Sequence, residues 1–207
     1  MKQGDPTVFA RLGEEILYFR SNGFEPTVIP GVSSALAAPT FAGIPLTQRG
    51  VAESFVVCTG VGRKGKEVSL PGYERSRTLV ILMGVARIKE IVKALIDVSP
   101  DQNRRDGVAY PQILPISIIE RGSMTDQRVI FSTLKDIVRA LECNGEQRPP
   151  GMMVIGWAVL SLWKEGDVSV LESGAESQDQ DRIRTWLRGA DSGWRVQEGL
   201  ESDWERF

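Results

Sequence analysis

The chain has 207 residues, of which 42% are hydrophobic and 25% charged, so it can fold around one or two buried cores. Its formal net charge of −2 argues against binding nucleic acid through bulk charge. It contains no histidine, which excludes Ser-His-Asp and Cys-His nucleophilic sites and any histidine-ligated metal centre. No metal site is therefore expected.

The first segments in chain order alternate between helix and strand patterns. Residues 10–24, ARLGEEILYFRSNGF, place apolar side chains on one helical face, and Gly23 is a suitable stop. Residues 26–31, PTVIPG, predict a short buried strand. Ser33 or Ser34 can then cap a small, apolar helix.

The later segments continue this alternation. Predicted strands are SFVVCTG, TLVILMG, ILPISIIE, QRVIFST and the start of PPGMMVIGWAVLSLW. Predicted helices are VARIKEIVKALIDV and LKDIVRALECNG. The alternation predicts an α/β protein with two α/β subdomains, the remainder of an N-terminal one at residues 1–51 and a C-terminal one at 52–171.

Residues 172–207 form a polar, acidic tail. They carry nine acidic and five basic residues. We expect a solvated extension with, at most, a short helix in DQDRIRTWLRGA.

The expected cellular compartment follows from the absence of membrane-span and signal-peptide patterns in the sequence. No run approaches the ~20 apolar residues of a membrane span, and there is no signal-peptide pattern. Cys58 and Cys143 lie in apolar stretches and are expected as buried free thiols. We expect a cytoplasmic protein with no membrane partner.

Four predicted loop or strand ends carry a glycine or another small residue, the position where α/β sheets bind ligands. They are Gly4-Asp5-Pro6, Pro30-Gly31-Val32-Ser33-Ser34, Met83-Gly84 and Glu120-Arg121-Gly122-Ser123. Neither a P-loop nor a GxGxxG motif after a strand is present, so a phosphate cradle is not supported.

Several cations lie near these glycines. Arg11 and Glu14 are three residues apart and share a helix face, as solvated ion pairs often do. Arg49 and the run Arg63-Lys64-Lys66 are also typical of protein surfaces. Taken together, the cations would suit an anionic substrate, and arginine suits carboxylates because its fork binds two oxygens.

Six stretches in this order carry a family resemblance. They are GDPTVFARLGEE, VIPGVSSALAAPTFAGIPLTQRG, SFVVCTG, LVILMG, IIERGS…QRVI and RPPGMMVIG. Between residue 2 and about residue 163, the chain resembles the uroporphyrinogen-III C-methyltransferases of the tetrapyrrole methylase family, most closely the fungal type of sirohaem synthesis.

The resemblance implies transfer of methyl groups from S-adenosylmethionine to two pyrrole carbons of uroporphyrinogen III, a substrate with eight carboxylates, to give precorrin-2. It implies the class III methyltransferase fold, two α/β subdomains with the cofactor in the cleft between them, in a homodimer. Implied substrate-facing residues are Arg11, Glu14 and Arg49. Implied cofactor contacts are Gly4, Asp5, Val8, Ser33, Ser34, Met83 and Gly122, with Gly151 beside the adenine.

The chain departs from the family pattern at two places. Gln48 stands where the family carries histidine, and the family's first strand and GPGD-type loop would precede the GDP motif. We therefore expect a fragment or a truncated gene product. Two alternatives stay open: a non-catalytic remnant that acts as a dimerising or regulatory partner, and another methylase of the same superfamily that acts on a later corrin precursor or on a modified protein side chain.

Overall fold

The computed structural model describes residues 3–98, 104–190 and 192–200 and contains a mixed six-stranded sheet with helices. The helices are α1 (Leu12–Ser21), α2 (Ser34–Phe41), α3 (Ile88–Ile96), α4 (Ile137–Cys143) and α5 (Asp179–Trp186). The strands are β1 (Ser54–Thr59), β2 (Leu70–Pro71), β3 (Arg77–Leu82), β4 (Arg105–Asp106), β5 (Pro115–Glu120), β6 (Arg128–Thr133), β7 (Gly151–Ile155) and β8 (Trp194–Glu198). The predicted α/β class is confirmed.

The large sheet has the strand order β1-β3-β7-β5-β6-β8. Strands β1 and β3 are parallel, whereas the other neighbours are antiparallel. Strands β2 and β4 form a separate two-stranded parallel pair. All strands of the described residues lie beyond residue 51, since residues 3–51 contribute only α1 and α2 as regular elements.

The core lies around the central strands. Every residue of β5 and β6 is buried, as are the four middle residues of β3. These strands read as continuous apolar runs because both faces of the sheet are covered. Helix α3 buries an apolar stripe against this sheet, and α4 packs on β6. Each fully buried leucine or isoleucine stabilises the fold by about 1.5–3 kcal/mol.

The N-terminal region differs from the sequence prediction in part. Helix α1 is confirmed, and Gly23 ends it with φ of 80°. However, α1 buries none of its residues. The predicted strand at 26–31 is wrong, and Val28 and Ile29 are exposed. A strand needs a neighbour for its backbone hydrogen bonds, and in the described residues none lies beside this segment.

The C-terminal region is packed against the sheet. The short helix predicted at residues 179–190 is confirmed as α5, but the solvated extension is wrong for residues 172–190 and 192–200. Trp186 is only 2% exposed, and β8 pairs antiparallel with β6. Arg75 also holds α5, because its guanidinium donates to both carboxylate oxygens of Asp179 at 2.7 Å.

The two thiols differ in exposure. Cys58 is half-buried in β1, and burial raises the pKa of its thiol. Cys143 is exposed at the end of α4, so its expected burial is wrong. None of the helices in the described part of the chain is long and apolar enough to cross a membrane.

Candidate functional site

The GDP turn and the Pro-Gly turn lie against each other. Gly4 has φ of 73°, a left-handed conformation that glycine adopts without strain. A Cβ placed on Gly31 would lie 2.3 Å from the Gly4 carbonyl oxygen, so the two backbones touch only because Gly31 has no side chain. The Gly31 N–H also donates to Asp5 Oδ2 at 3.2 Å.

Asp5 holds both turns through its carboxylate. Its Oδ1 accepts a hydrogen bond from the Thr7 N–H at 2.8 Å and another from the Thr7 hydroxyl. These bonds, with that from Gly31, lower the pKa of Asp5 because they stabilise the ionised form. Val8 follows, half-buried. The carboxylate is therefore charged at neutral pH and works as an acceptor.

The two serines take different places at the start of α2. Ser33 is the N-cap residue, and its Oγ accepts a hydrogen bond from the Ala35 N–H at 3.2 Å. Its burial and the cap bond confirm the capping prediction. Ser34 is exposed in the first turn of the helix.

A second group of predicted residues lies at one edge of the sheet. The register pairs Leu82 of β3 with Met152 of β7, and Gly151 with Glu120 of β5. Strands β3 and β5 therefore end at the same edge of the sheet at which β7 begins. This edge brings together Met83 after β3, Gly151 at the start of β7, and the turn of Arg121 and Gly122 after β5. Met83 has φ of 56° and a side chain that is 52% exposed, and Arg121 has φ of 52°. Such strained residues cluster at functional sites.

Helix α2 connects the two groups. Its first residues follow the Pro-Gly turn, whereas Ala38 contacts Gly122: a Cβ on Gly122 would lie 2.7 Å from the Ala38 Cβ. The buried side chain of Gln127 adds a second link, because its Oε1 accepts from the Ser123 N–H at 3.0 Å and its Nε2 donates to the Phe41 carbonyl at 3.2 Å. Sequence reasoning missed Gln127.

The substrate-facing residues implied by the resemblance are only partly brought together. Arg11 Nε donates to Glu14 Oε2 at 2.7 Å, and this contact raises the pKa of Arg11. Both side chains are exposed. Arg49 is exposed in a separate loop that Gly50 anchors, since the Gly50 carbonyl accepts from the Leu171 N–H at 2.9 Å.

A buried ion pair that sequence reasoning missed supports the second group. Glu120 and Arg128 are almost fully buried, with 2.6 Å between the Arg128 Nε and Glu120 Oε2. Glu120 Oε1 accepts from the Arg148 N–H at 2.9 Å, which ties down the segment before Gly151. The available signal was two opposite charges at the facing ends of two apolar strands, ISIIERG and QRVIF.

The fold and this site define a class of α/β protein in which backbone groups at glycine-rich turns and strand ends form the ligand contacts. Residues 1–138 match the family model described as tetrapyrrole (corrin/porphyrin) methylases, and the chain belongs to this family.

Similar proteins carry more specific names. The chain is 46% identical over 162 residues to a probable uroporphyrinogen-III C-methyltransferase of Schizosaccharomyces pombe, a match covering 78% of this chain and 30% of the relative. It is 41% identical to the uroporphyrinogen-III C-methyltransferase of Methanocaldococcus jannaschii, covering 77% and 62%. The uroporphyrin-III C-methyltransferase of Thermus thermophilus, solved with S-adenosylhomocysteine, superimposes with a TM-score of 0.58 at 34% identity, covering 75% and 64%. The chain thus spans less than two thirds of each of these relatives.

Proposed function

We propose that this chain binds S-adenosylmethionine beside the sheet edge of Met83, Gly122 and Gly151 and takes part in C-methylation of uroporphyrinogen III to precorrin-2. The observation that carries the proposal is the strand register, which supports these three residues as one ligand-binding edge. The names of the similar methyltransferases from S. pombe, M. jannaschii and T. thermophilus support the same chemistry.

The residues of the site fit this cofactor. Strand pairing stops at Leu82 and Gly151, and one further bond, from the Arg121 N–H to the Pro150 carbonyl at 2.8 Å, closes the ladder next to Gly122. Gly122 and Gly151 permit close packing around this edge, since an added Cβ would lie 2.7 Å from the Ala38 Cβ and 3.2 Å from a Val85 methyl, respectively. The exposed Met83 side chain supplies an apolar, polarisable surface of the kind that suits an adenosyl group. Gly4, Asp5, Val8, Ser33 and Ser34 are proposed to hold the cofactor from the side of α2.

S-adenosylmethionine, when bound, supplies an electrophilic methyl group that needs neither a metal nor a protein nucleophile. The work left to the chain is alignment, which is a proximity effect. Arg11 cannot act as a base, because arginine stays protonated in proteins and Glu14 raises its pKa further. We assign Arg11 and Arg49 to holding substrate carboxylates, and Glu14 to orienting the Arg11 guanidinium.

The assembly, compartment and domain division are also proposals. A homodimer is supported by the apolar side chains left exposed on α1 and after it, among them Leu17, Tyr18, Phe24 and Ile29. The cytoplasm is supported by the two unpaired cysteines, since reducing compartments keep thiols free. The division near residue 51 is supported by the position of every described strand beyond it.

Two measurements on the full 207-residue chain test the proposal. S-adenosylhomocysteine is expected to raise the stability of the chain by about 2.7 kcal/mol at 100 times its dissociation constant. Incubation of the chain with S-adenosylmethionine and uroporphyrinogen III should then yield precorrin-2. Arg11→Ala should raise the KM for uroporphyrinogen III. It should change the stability of the chain little, because exposed ion pairs contribute about 0–1 kcal/mol. Absence of S-adenosylhomocysteine binding would refute the cofactor assignment.

One observation favours the alternative of a non-catalytic partner. Helix α1, which carries Arg11 and Glu14, buries no side chain, so its position depends on few contacts within the described residues. Binding of S-adenosylhomocysteine without any methylation of uroporphyrinogen III would favour this alternative. Methylation of a later corrin precursor in its place would favour the other.

A further inference from the structure

The loop that follows β1 lies next to the proposed cofactor edge. We call residues 62–66, which carry Arg63, Lys64 and Lys66, the basic loop. Strand β1 pairs with β3 so that Thr59 faces Leu82. A Cβ on Gly60 would lie 2.5 Å from the Gly84 Cα, so the chain leaves β1 in contact with the turn of Met83 and Gly84. The basic loop therefore begins one strand away from Met83.

The basic loop is ordered by its own hydrogen bonds. The Gly62 N–H donates to the Lys66 carbonyl at 2.8 Å, and the Gly65 N–H donates to the Gly62 carbonyl at 3.1 Å. Before it, the Thr59 hydroxyl donates to the Val61 carbonyl at 2.8 Å. Lys64 has φ of 57°, a conformation that is costly for a residue with a side chain. A strained backbone thus presents an exposed lysine.

Three cations lie in the basic loop, and a fourth, Arg87, lies beside it. Arg63, Lys64 and Lys66 are exposed, and the guanidinium of Arg87 lies 3.4 Å from where a Gly65 Cβ would be. The ion pairs of the described residues include none of these four cations. Nearby, Glu67 is already paired with Arg104, whose Nε donates to it at 2.6 Å. Glu90 faces the small cavity that Arg87 and Arg104 also line.

The clustering of these four positive charges favours an anion as the ligand of the basic loop. Like charges held close together repel one another, and a polyanion that docks against them relieves the repulsion and is attracted from a distance. The formal net charge of the full chain is −2, which does not favour a nucleic acid as the anion. A compact molecule with several carboxylates fits this local cluster better.

We propose that the basic loop and Arg87 bind carboxylate arms of the tetrapyrrole substrate and hold its macrocycle beside Met83. This inference rests on the proposed function and adds a second carboxylate-binding element, distinct from Arg11 and Arg49. Lysine and arginine suit this task because charge-assisted hydrogen bonds to carboxylates are stronger than neutral ones. Arg63, Lys64, Lys66 and Arg87 are substrate-positioning residues, since none is needed to supply the methyl group.

The test uses uroporphyrin III, the oxidised macrocycle with the same carboxylates, as a fluorescent probe that cannot be methylated. The full chain is compared with Arg63→Gln/Lys64→Gln/Lys66→Gln and with the control Lys93→Gln/Lys135→Gln/Arg188→Gln, which removes three exposed cations elsewhere. The first variant should weaken uroporphyrin binding about tenfold or more and flatten its salt dependence. The control should change it less than about twofold, as expected for distant, screened charges.

Two further measurements keep the outcomes separable. S-adenosylhomocysteine affinity, measured by calorimetry, should be equal in all three chains. Lys64→Gly, which suits the positive φ and so preserves the fold, should weaken uroporphyrin binding by itself. Unchanged uroporphyrin affinity in the loop variants overturns the inference and leaves the proposed function standing. Equal losses of uroporphyrin affinity in the loop variant and in its control also overturn the inference. If the wild-type chain binds S-adenosylhomocysteine but not uroporphyrin, the substrate roles of both the basic loop and the Arg11 and Arg49 pair are overturned.

Discussion

Ala38 of α2 lies directly against Gly122 in the turn after β5. A Cβ on Gly122 would come within 2.7 Å of the Ala38 Cβ and 3.3 Å of its Cα. The contact sets the distance between the helix that follows the Pro-Gly turn and the edge of the sheet. It thereby joins the two groups of predicted cofactor residues into one region.

The first prediction concerns this contact. Gly122→Ala should weaken S-adenosylhomocysteine binding by about 5- to 150-fold, because overpacking costs about 1–3 kcal/mol and moves either α2 or the turn. Gly13→Ala is the matched control, since a Cβ there meets no atom within 4 Å. Calorimetric titration of both variants measures the difference. Equal affinity in the two variants would show that the spacing between Ala38 and Gly122 is not critical.

The second prediction concerns Asp5 and pH. Its folded pKa is lowered by hydrogen bonds from Thr7 and Gly31, so its stabilising contribution is fully present above the ordinary aspartate pKa of about 3.9. The contribution is lost as pH falls below that value through the lower folded pKa. Asp5→Asn should therefore be less stable than wild type at pH 7, and the difference should shrink in acid.

Urea unfolding of wild type and Asp5→Asn across this pH range is the measurement. Asp181→Asn, at an exposed carboxylate paired with Arg184, is the control and should show little difference at pH 7. A wild-type advantage over Asp5→Asn that grew in acid would contradict the assignment.

The third prediction concerns the buried ion pair. Glu120→Gln should lower the free energy of unfolding by about 3–5 kcal/mol, because it leaves the buried Arg128 charge without its partner. The double substitution Glu120→Leu/Arg128→Met should recover much of this loss, since apolar residues of similar size avoid the uncompensated charge. Chemical denaturation of both variants provides the comparison, and a double variant as unstable as the single one would refute the explanation.

The fourth prediction concerns the C-terminal region. Trp186 is buried against Phe131, with ring centroids 6.3 Å apart, and the guanidinium of Arg195 lies 3.3 Å from the centre of the Trp163 ring. Burial lowers the pKa of Arg195 to about 10, which leaves it charged at neutral pH. Trp186→Ala should cost about 3–5 kcal/mol and increase amide exchange in β8.

Leu162→Ala is the control for this substitution, because Leu162 is 55% exposed in the neighbouring turn. It should change stability by less than about 0.5 kcal/mol, as is usual for surface positions. Retained protection of β8 in Trp186→Ala would mean that the strand is held by its pairing with β6 alone.

The sequence predicted helices and strands well wherever the local pattern of apolar and capping residues matched the burial of those residues in the folded chain. The apolar runs of β3, β5 and β6, the amphipathic stripe of α3, the Ser33 cap and the Gly23 stop all depend on residues close together in the chain. The prediction at 26–31 was wrong for a physical reason: PTVIPG has strand-like residues, but a strand also requires a neighbouring strand.

By itself, then, the sequence determined the α/β class, the positions of most helices and strands, and the glycine-bearing turns that mark the site, because propensity and hydrophobic period are local properties. Only the tertiary structure decided which strands are neighbours and that Met83, Gly122 and Gly151 share one edge. It also decided that Glu120 pairs with Arg128 and that residues 194–198 complete the sheet. These features depend on contacts between distant residues, whose register and burial are fixed only when the whole core packs.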